Sequence, residues 1–230
     1  MGKLADVDTV LDHIQDGTTV MIGGFMGCGT PESIVDSLVG KGVKRLKVIA
    51  NDTAVIGKGV GKLIDKHQVG KLIASHIGLN PKTGQQMNSG DIEVELVPQG
   101  TLAERIRAGG AGLGGILTPT GMGTIVQDGK EVVKVRGKEY LLELPLRADV
   151  ALIKAFKADE KGNLVFRLSA RNFNPIMATA ADYVAAEVEQ FVGVGDIAPD
   201  EVHLPGIFVD AIVLSSIPGD AEDQGANCHG

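Results

Sequence analysis

The stretch that decides the fold is residues 18–32, TTVMIGGFMGCGTPE. It contains a short apolar run over Thr18–Ile22 and then a glycine-rich segment over Gly23–Gly29. Residues 30–32, Thr-Pro-Glu, are typical of a helix start, with a cap residue, a proline at the first helical position and an acid in the first turn. Strand, glycine loop and helix in direct succession predict the kind of unit from which parallel sheets are built.

The flanking sequence repeats this alternation. Upstream, apolar residues at helical spacing end at Gly17 and predict a first helix (Val7, Val10, Leu11, Ile14). Downstream, three apolar runs predict further strands (Leu46–Ala50, Lys71–Ser75, Val94–Val97). Thr101 and Glu104 have the spacing of a capping box, which predicts a helix from Thr101 to Gly109. We therefore expect an α/β fold with an open, mainly parallel sheet flanked by helices.

The middle of the chain has a different pattern. Three short segments are separated by Asp128-Gly129 and Arg136-Gly137, which predicts an antiparallel hairpin or meander insertion (Thr124–Gln127, Val132–Val135, Tyr140–Leu144). Buried-type strands then resume (Asp149–Lys154, Tyr183–Val188, Ala211–Leu214), with a helix near Pro175–Ala181 whose cap would be Asn174.

No repeat or linker interrupts the first 215 residues, so we expect one domain over 1–215. The final segment, 216–230, is polar and acidic without periodicity, which predicts a disordered tail.

Composition excludes several classes of function. The chain has 230 residues, 43% apolar and 22% charged, with a net charge of −7 and no block of Lys or Arg, so nucleic acid is not an expected partner. No apolar run is long enough to cross a membrane. Cys28 and Cys228 lie far apart without metal-ligand spacing, and residues 1–8 contain no apolar leader. These features favour a cytoplasmic protein with no metal.

Three loops are candidates for a functional site. In open α/β sheets, ligands bind beyond the carboxyl ends of the strands, where helix N-termini also point. Gly23–Gly29, Asn51-Asp52 and Gln99-Gly100 should all lie at that edge. Glycine accounts for 32 residues, about twice the roughly 7% average, which indicates close backbone approach to a ligand. Asn51 and Gln99 offer neutral amide donors that could stabilise developing negative charge.

Each candidate also has a structural interpretation. A glycine-rich turn serves in many folds only to reverse the chain, and Asn51 or Gln99 alone could be a turn or cap residue. Cys28 lacks a recognisable Cys/His/Asp arrangement, and we expect it to be a small buried apolar residue. His76 and His203 are expected to be packing residues.

Taken together, several separated motifs resemble the alpha subunit of family I coenzyme A transferases. The motifs occur in order over about residues 10–210 (Val20–Phe25 with Gly29-Thr30-Pro31, Ser75–Gly78 with Asn80-Pro81, Pro98–Leu102, Thr118–Gly121, Asn172–Pro175). Within the family the resemblance is closest to the alpha subunits of acetate/acetoacetate CoA-transferases.

The resemblance implies acyl transfer by a ping-pong route. In that family a glutamate attacks the acyl-CoA thioester, an acyl-glutamyl anhydride forms, and the released thiolate returns to give a glutamyl-CoA thioester that passes CoA to the acceptor acid. The glutamate belongs to a Ser-Glu-Asn-Gly motif on the beta subunit, and this sequence contains no such tetrapeptide. The implied assembly is heteromeric, α2β2, with coenzyme A as a substrate and no permanently bound cofactor.

The resemblance also implies roles for individual residues. The glycine loop matches the CoA-binding signature of the family (Gly23, Gly24, Phe25, Met26, Gly27, Cys28, Gly29). Gln99 matches a glutamine that helps to form the oxyanion hole, and Asn51 matches a polar position near the substrate. No Lys or Arg can be assigned to the CoA phosphates.

Other functions remain as alternatives. A sugar-phosphate isomerase-like enzyme would need an acid or base in this chain, and Asp52 is the acid expected at the carboxyl edge. A non-catalytic module that binds a CoA ester or a sugar phosphate would need only the loop. A dinucleotide oxidoreductase is disfavoured because the loop is not G-x-G-x-x-G.

Overall fold

A computed structural model describes residues 2–217. Its strands are β1 (Thr19–Ile22), β2 (Leu46–Ala50), β3 (Val69–Ala74), β4 (Glu93–Leu96), β5 (Ile116–Thr118), β6 (Val132–Val135), β7 (Lys138–Glu143), β8 (Ala148–Asp159), β9 (Leu164–Val165), β10 (Ala181–Val192) and β11 (Ala211–Leu214). Its α-helices are α1 (Val7–Leu11), α2 (Glu32–Lys41), α3 (Val60–Asp65), α4 (Pro81–Ser89), α5 (Gln99–Gly110) and α6 (Asn174–Ala178). Cys228 and most of the segment predicted as a tail lie outside the described residues.

The main sheet is parallel, as the sequence predicts. Its strands lie in the order β11-β10-β8-β1-β2-β3-β4, every neighbouring pair is parallel, and the short strand β9 adds an antiparallel pair on β8. All seven main strands therefore end at the same edge of the sheet. That edge, which we call the carboxyl edge, carries the candidate loops.

Both faces of the sheet are covered. Within β1, Val20 and Ile22 pack into one apolar cluster with residues of α1, α2 and α3, while Met21 packs into a second cluster with α5 and α6. All three side chains are fully buried, and burying an aliphatic side chain of this size contributes about 1.5–3 kcal/mol. Burial on both faces explains why these strands are almost continuously apolar.

The predicted antiparallel insertion exists, with different strands. β5, β7 and β6 form a three-stranded antiparallel sheet. Arg136 and Gly137 form the hairpin turn with φ values of 51° and 83°, as a type I′ turn requires. The strand predicted over Thr124–Gln127 is wrong: the Thr124 hydroxyl accepts from the Val126 N–H and starts a short 3₁₀ turn instead.

The insertion is attached to α5 by a buried cation. Arg105 is 8% exposed. Its Nη1 lies 2.6 Å from Glu95 Oε1, and its Nε donates to the Leu144 carbonyl over 2.8 Å. One guanidinium therefore joins the edge strand β4, the helix α5 and the segment that follows β7.

The helix starts differ from the predicted caps for tertiary reasons. Helix α2 begins at Glu32, not Pro31, and has no side-chain cap from its own end. The carboxylate of Glu187 on β10, fully buried, accepts from the Ile34 N–H over 3.1 Å and is paired with Lys154 at 3.2 Å. The prediction of Thr30 as the cap is thus wrong, because a distant acid supplies the acceptor.

The prediction that Thr101 and Glu104 form a capping box is also wrong. Helix α5 begins at Gln99, because the Pro98 carbonyl already accepts from the Leu102 N–H over 2.9 Å. Thr101 and Glu104 therefore lie inside the helix, where Glu104 pairs with Arg107 at 2.6 Å. Gln99 consequently occupies the first helical turn rather than a preceding loop.

Candidate active site

The carboxyl edge brings the three candidate loops together. The Gly23–Gly29 loop follows β1, Asn51 and Asp52 follow β2, and Gln99 starts α5 directly after β4. Because β1, β2, β3 and β4 are consecutive parallel neighbours, their following residues share one edge. The sequence predicted this placement, and the structure confirms it.

Hydrogen bonds link these loops into one row. Gln99 Nε2 donates to Asn51 Oδ1 over 2.8 Å, and Asn51 Nδ2 donates to Asp52 Oδ2 over 2.8 Å. The same Asp52 oxygen accepts from the Met26 N–H of the glycine loop over 2.9 Å. Asn51 and Asp52 are buried, whereas Gln99 is exposed. The row therefore runs through two buried side chains and ends at the carboxamide of Gln99, which faces solvent.

The Asp52 carboxylate holds two backbone positions that are unusual for residues with side chains. Met26 and Ala54 have φ values of 52° and 49°, a left-handed conformation that costs roughly 1–2 kcal/mol. Asp52 Oδ2 accepts from the Met26 N–H, and Asp52 Oδ1 accepts from the Ala54 N–H over 2.6 Å. Asp52 therefore stabilises the strained backbone on both sides of the site.

The amides of the glycine loop are mostly used inside the chain. The Gly23 and Gly24 N–H groups donate to the Leu152 carbonyl and to Asn172 Oδ1, and Phe25 and Cys28 exchange two backbone hydrogen bonds. Between Gly23 and Cys28, the Gly27 N–H alone has no acceptor within residues 2–217. The loop therefore offers few free backbone donors, and its glycines serve mainly its shape.

That shape leaves no room for side chains at three positions. One is Gly29, where a Cβ would lie against the Ala170 carbonyl. A Cβ at Gly23 would overlap Asn174 Oδ1, and a Cβ at Gly24 would overlap the Thr30 hydroxyl. Gly24 also has a φ of 121°, which strongly favours glycine. The two neighbouring residues Phe25 and Met26 remain 43% and 50% exposed, so the loop presents apolar side chains at its outer surface.

Asn172 and Asn174 are site residues whose roles the sequence did not reveal. Asn172 accepts from the Gly24 N–H over 3.2 Å and donates to the Cys28 carbonyl over 3.1 Å, which joins the two ends of the loop. Asn174, predicted as a helix cap, is instead fully buried; it accepts from the Lys154 N–H and donates to the Gly29 and Ala170 carbonyls. In the sequence, the two asparagines within Asn172–Pro175 were the feature that could have indicated these roles.

The remaining sequence candidates take structural positions. Cys28, predicted to be buried, is only half-buried, because it lies in the surface loop, and its thiol lies 3.6 Å from the Ser169 hydroxyl. His203 Nδ1 accepts from the Phe166 N–H over 2.9 Å, which confirms its packing role. Among residues 2–217, no cluster of His, Cys, Asp or Glu could hold a metal ion. None of the helices in this part of the chain has the length and apolar character that membrane spanning requires.

A charged cluster supports the loop between Asp52 and α3. Lys62 lies 2.6 Å from Glu32 and 2.5 Å from Asp36, and Glu32 also accepts from the Gly59 N–H over 2.9 Å. Partial burial alone lowers the pKa of Lys62, but the hydrogen bonds and charges of Asp36 and Glu32 outweigh it and raise the pKa above its usual value. Lys62 thus stays charged and ties α3 to α2.

Comparison with known proteins identifies the family. The family model described as coenzyme A transferase matches residues 5–215. This chain belongs to the coenzyme A transferase family. It is 53% identical to the alpha subunit of the acetate CoA-transferase of Escherichia coli K12, over 93% of this chain and 97% of that protein. It is 52% identical, over 94% and 90%, to one of the subunits of a succinyl-CoA:3-ketoacid coenzyme A transferase from Xanthomonas campestris.

Solved structures agree on the fold. An acyl-CoA transferase from Escherichia coli O157:H7 superposes with a TM-score of 0.84 at 22% identity, covering 93% of this chain, which spans about half (47%) of that longer chain. Glutaconate coenzyme A-transferase from Acidaminococcus fermentans gives a TM-score of 0.82 at 18% identity, covering 93% of this chain and 75% of that one. The family resemblance seen in the separated motifs is confirmed by the family model and by the sequence relatives, and the solved structures show that the fold is the same.

The structure also bears on the isomerase alternative. That enzyme would need Asp52 as an acid or base open to a substrate. Asp52 is 6% exposed, and its two oxygens accept three N–H groups, from Met26, Asn51 and Ala54. This geometry and the family membership together disfavour an isomerase.

Proposed function

We propose that this chain is the alpha subunit of a heteromeric CoA-transferase that moves coenzyme A between a short-chain acyl-CoA (acetoacetyl-, acetyl- or butyryl-CoA) and a short-chain carboxylic acid. The observation that carries the proposal is the row from the glycine loop through Asp52 and Asn51 to the exposed Gln99. It ends in a neutral donor, and the acid in the row, Asp52, is already occupied by three N–H groups. Such an edge suits oxyanion stabilisation rather than nucleophilic attack.

In this proposal the nucleophile is a glutamate of the partner beta subunit. It attacks the thioester carbonyl, whose oxygen gains negative charge, and the second N–H of Gln99 Nε2 donates to that oxygen. Coenzyme A leaves as a thiolate, which gives an acyl-glutamyl anhydride; the thiolate then attacks the glutamyl carbonyl, forms the glutamyl-CoA thioester and releases the donor acid as a carboxylate. The acceptor carboxylate follows the same steps in reverse: it displaces CoA to form a new anhydride, and the thiolate attacks the acyl carbonyl of that anhydride, which releases acyl-CoA and the free glutamate. The Gly23–Gly29 loop lines the path of the thioester, and Gly27 offers an N–H. Asn51 is fully buried and acts on the substrate through its hydrogen bond to Gln99.

The proposal includes the organisation of the protein. Residues 1–215 form one CoA-transferase domain, which forms an α2β2 assembly with the beta subunit in the cytoplasm and holds no permanent cofactor. The relatives named as alpha subunits support a paired chain. One relative, 49% identical, is named as an acetoacetyl-CoA:acetate/butyrate CoA transferase alpha subunit of Clostridium acetobutylicum, which supports short-chain acids as substrates.

Reconstitution tests the proposal. The purified chain alone should transfer no CoA from acetoacetyl-CoA to acetate, and mixing it with its partner subunit should restore transfer. Mass spectrometry of the mixture after incubation with acetoacetyl-CoA should find bound CoA on the partner and none on this chain, with the mixture lacking acyl-CoA as the control. Turnover by the isolated chain, or CoA bound covalently to this chain, would contradict the proposal.

A further inference from the structure

The orientation of the Gln99 carboxamide decides whether it presents a donor or an acceptor to the substrate. A glutamine side chain carries an NH₂ group and a carbonyl oxygen of nearly the same size, and only the NH₂ group stabilises an oxyanion. Gln99 is exposed at the carboxyl edge and has one described side-chain partner, Asn51. Its orientation therefore depends on which atom Asn51 presents.

Asn51 has the same ambiguity, and Asp52 resolves it. An ionised carboxylate only accepts hydrogen bonds, so Asn51 must direct its NH₂ group towards Asp52 Oδ2, 2.8 Å away. Asn51 Oδ1 then faces Gln99, and Gln99 must direct Nε2 towards it, as observed at 2.8 Å. One of the two Nε2 hydrogens is used, and the other is left for a substrate.

Asp52 is itself fixed by the backbone. Met26 and Ala54 donate to its two different oxygens, so neither oxygen position can be replaced by an NH₂ group without placing two donors face to face. The side chain is 6% exposed, which shields these bonds from water. The site thus requires a carboxylate at this position, although that carboxylate does not face the substrate.

We propose that Asp52 is a positioning residue: through Asn51 it orients the Gln99 carboxamide so that an N–H, and not the carbonyl oxygen, meets the thioester oxygen. This inference rests on the proposed function, in which Gln99 is the oxyanion donor. In an Asp52→Asn chain the new NH₂ group takes the place of one carboxylate oxygen. It then faces the N–H of Ala54 in a first arrangement or the N–H of Met26 in a second. The bond from Ala54 is the shorter of the two, at 2.6 Å against 2.9 Å from Met26, so the amide keeps its oxygen towards Ala54. Asn51 then turns over, and Gln99 follows by presenting its oxygen.

A double-mutant cycle in the assembled complex tests the proposal. Asp52→Asn should lower kcat by about tenfold or more, because the wrong atom of Gln99 removes a donor whose loss alone typically costs about 10²- to 10³-fold. The KM for acyl-CoA should change less than about twofold. In a Gln99→Ala chain, the added Asp52→Asn change should alter kcat by less than about twofold, because the orientation of an absent carboxamide no longer matters.

The matched control is Asp159→Asn. Asp159 is also buried, at 3% exposure, and accepts from the N–H groups of Lys161 and Asn163 in a loop outside the site. This change should lower the melting temperature and leave kcat unaltered. If Asp52→Asn fails to assemble, Asn51→Ala interrupts the same row while Asp52 keeps both backbone bonds, and it should show the same dependence on Gln99.

The outcomes separate the two proposals. If Gln99→Ala leaves kcat at the wild-type level, the oxyanion role fails and the Asp52 role fails with it. If Gln99→Ala lowers kcat but Asp52→Asn does not, or if Asp52→Asn lowers kcat by the same factor with and without Gln99, only the Asp52 role is overturned.

Discussion

At the scale of single residues, a structural and a catalytic role of Gln99 predict effects of different size when the residue is replaced. A surface glutamine replaced by alanine usually changes stability by less than about 0.5 kcal/mol. An oxyanion donor stabilises the transition state more than the ground state, so its loss appears in kcat. Gln99 contacts Asn51 at 2.8 Å, and the two roles differ in their effect on kcat.

We expect Gln99→Ala to lower kcat at least about tenfold, because a donor to the thioester oxygen is lost. Gln99→Glu should be equally harmful or worse, since a carboxylate repels the developing charge. Steady-state kinetics of both assembled variants, measured beside their thermal melts, provide the check. A near-wild-type kcat in the alanine variant would show that Gln99 has only a structural role at the start of α5.

Gly24 offers a second test at this scale. With a φ of 121° and the Thr30 hydroxyl where a Cβ would lie, Gly24→Ala should lower both stability and transferase activity. Gly17 is the matched control: its φ is 82°, nothing lies within 4 Å of a Cβ there, and it precedes β1 at the opposite edge of the sheet. Gly17→Ala should cost about 1 kcal/mol of stability and leave kcat unchanged.

Circular-dichroism melts and steady-state assays compare the two glycine variants. Adding Thr30→Ala to Gly24→Ala removes the overlap and should recover part of the lost stability. Equal melting temperatures and equal activities for Gly24→Ala and Gly17→Ala would show that the close approach of Gly24 to Thr30 is unimportant.

At the scale of elements, the loop after β1 is held by the segment that precedes β10. Asn174 binds the N–H of Lys154 on β8 and the carbonyls of Gly29 and Ala170, all within 3.0 Å. Its removal would leave buried polar groups without partners, and each such group costs about 1–3 kcal/mol. The conformation of the loop therefore depends on β8 and on the segment before β10 as well as on its own glycines.

Asn174→Ala should destabilise the chain by about 2 kcal/mol or more and raise the KM for acyl-CoA, because the loop loses its support. Gln68→Ala is the control: Gln68 is 1% exposed and its amide also donates to two carbonyls, of Leu38 and Val43, at the amino edge of the sheet. It should destabilise the chain with no change in KM. Denaturant unfolding and acyl-CoA kinetics of both variants decide the matter; equal KM values would refute the supporting role.

At the scale of the whole molecule, the parallel sheet gathers functional groups from distant parts of the chain. Strand ends at β1, β2 and β4 deliver Met26, Asn51 and Gln99 to one edge, and the connection between β8 and β10 adds Asn172. A buried ion pair supports the same edge from inside the protein. Glu187 on β10 accepts from the first turn of α2 and pairs with Lys154 on β8. The edge therefore presents neutral donors outward and keeps these two charges inside.

The strands of the main sheet, the fold class and the edge that gathers the candidate residues could be predicted from the amino-acid sequence. Apolar runs such as Leu46–Ala50, buried on both faces, have few alternatives to a parallel strand. Because the ends of parallel strands coincide, the meeting of the glycine loop, Asn51 and Gln99 at one edge followed directly. The separated motifs also sufficed to indicate the family.

The polar details, in contrast, depend on how the elements pack in three dimensions. The caps predicted at Thr30, Thr101 and Asn174 are wrong because local patterns cannot show that a buried Glu187 takes over one helix start or that Asn174 serves the glycine loop. The orientation of Gln99 depends likewise on Asp52, 47 positions away along the chain. Hydrogen-bond partners are set by three-dimensional proximity and by the need to satisfy every buried donor, and neither follows from spacing in the sequence.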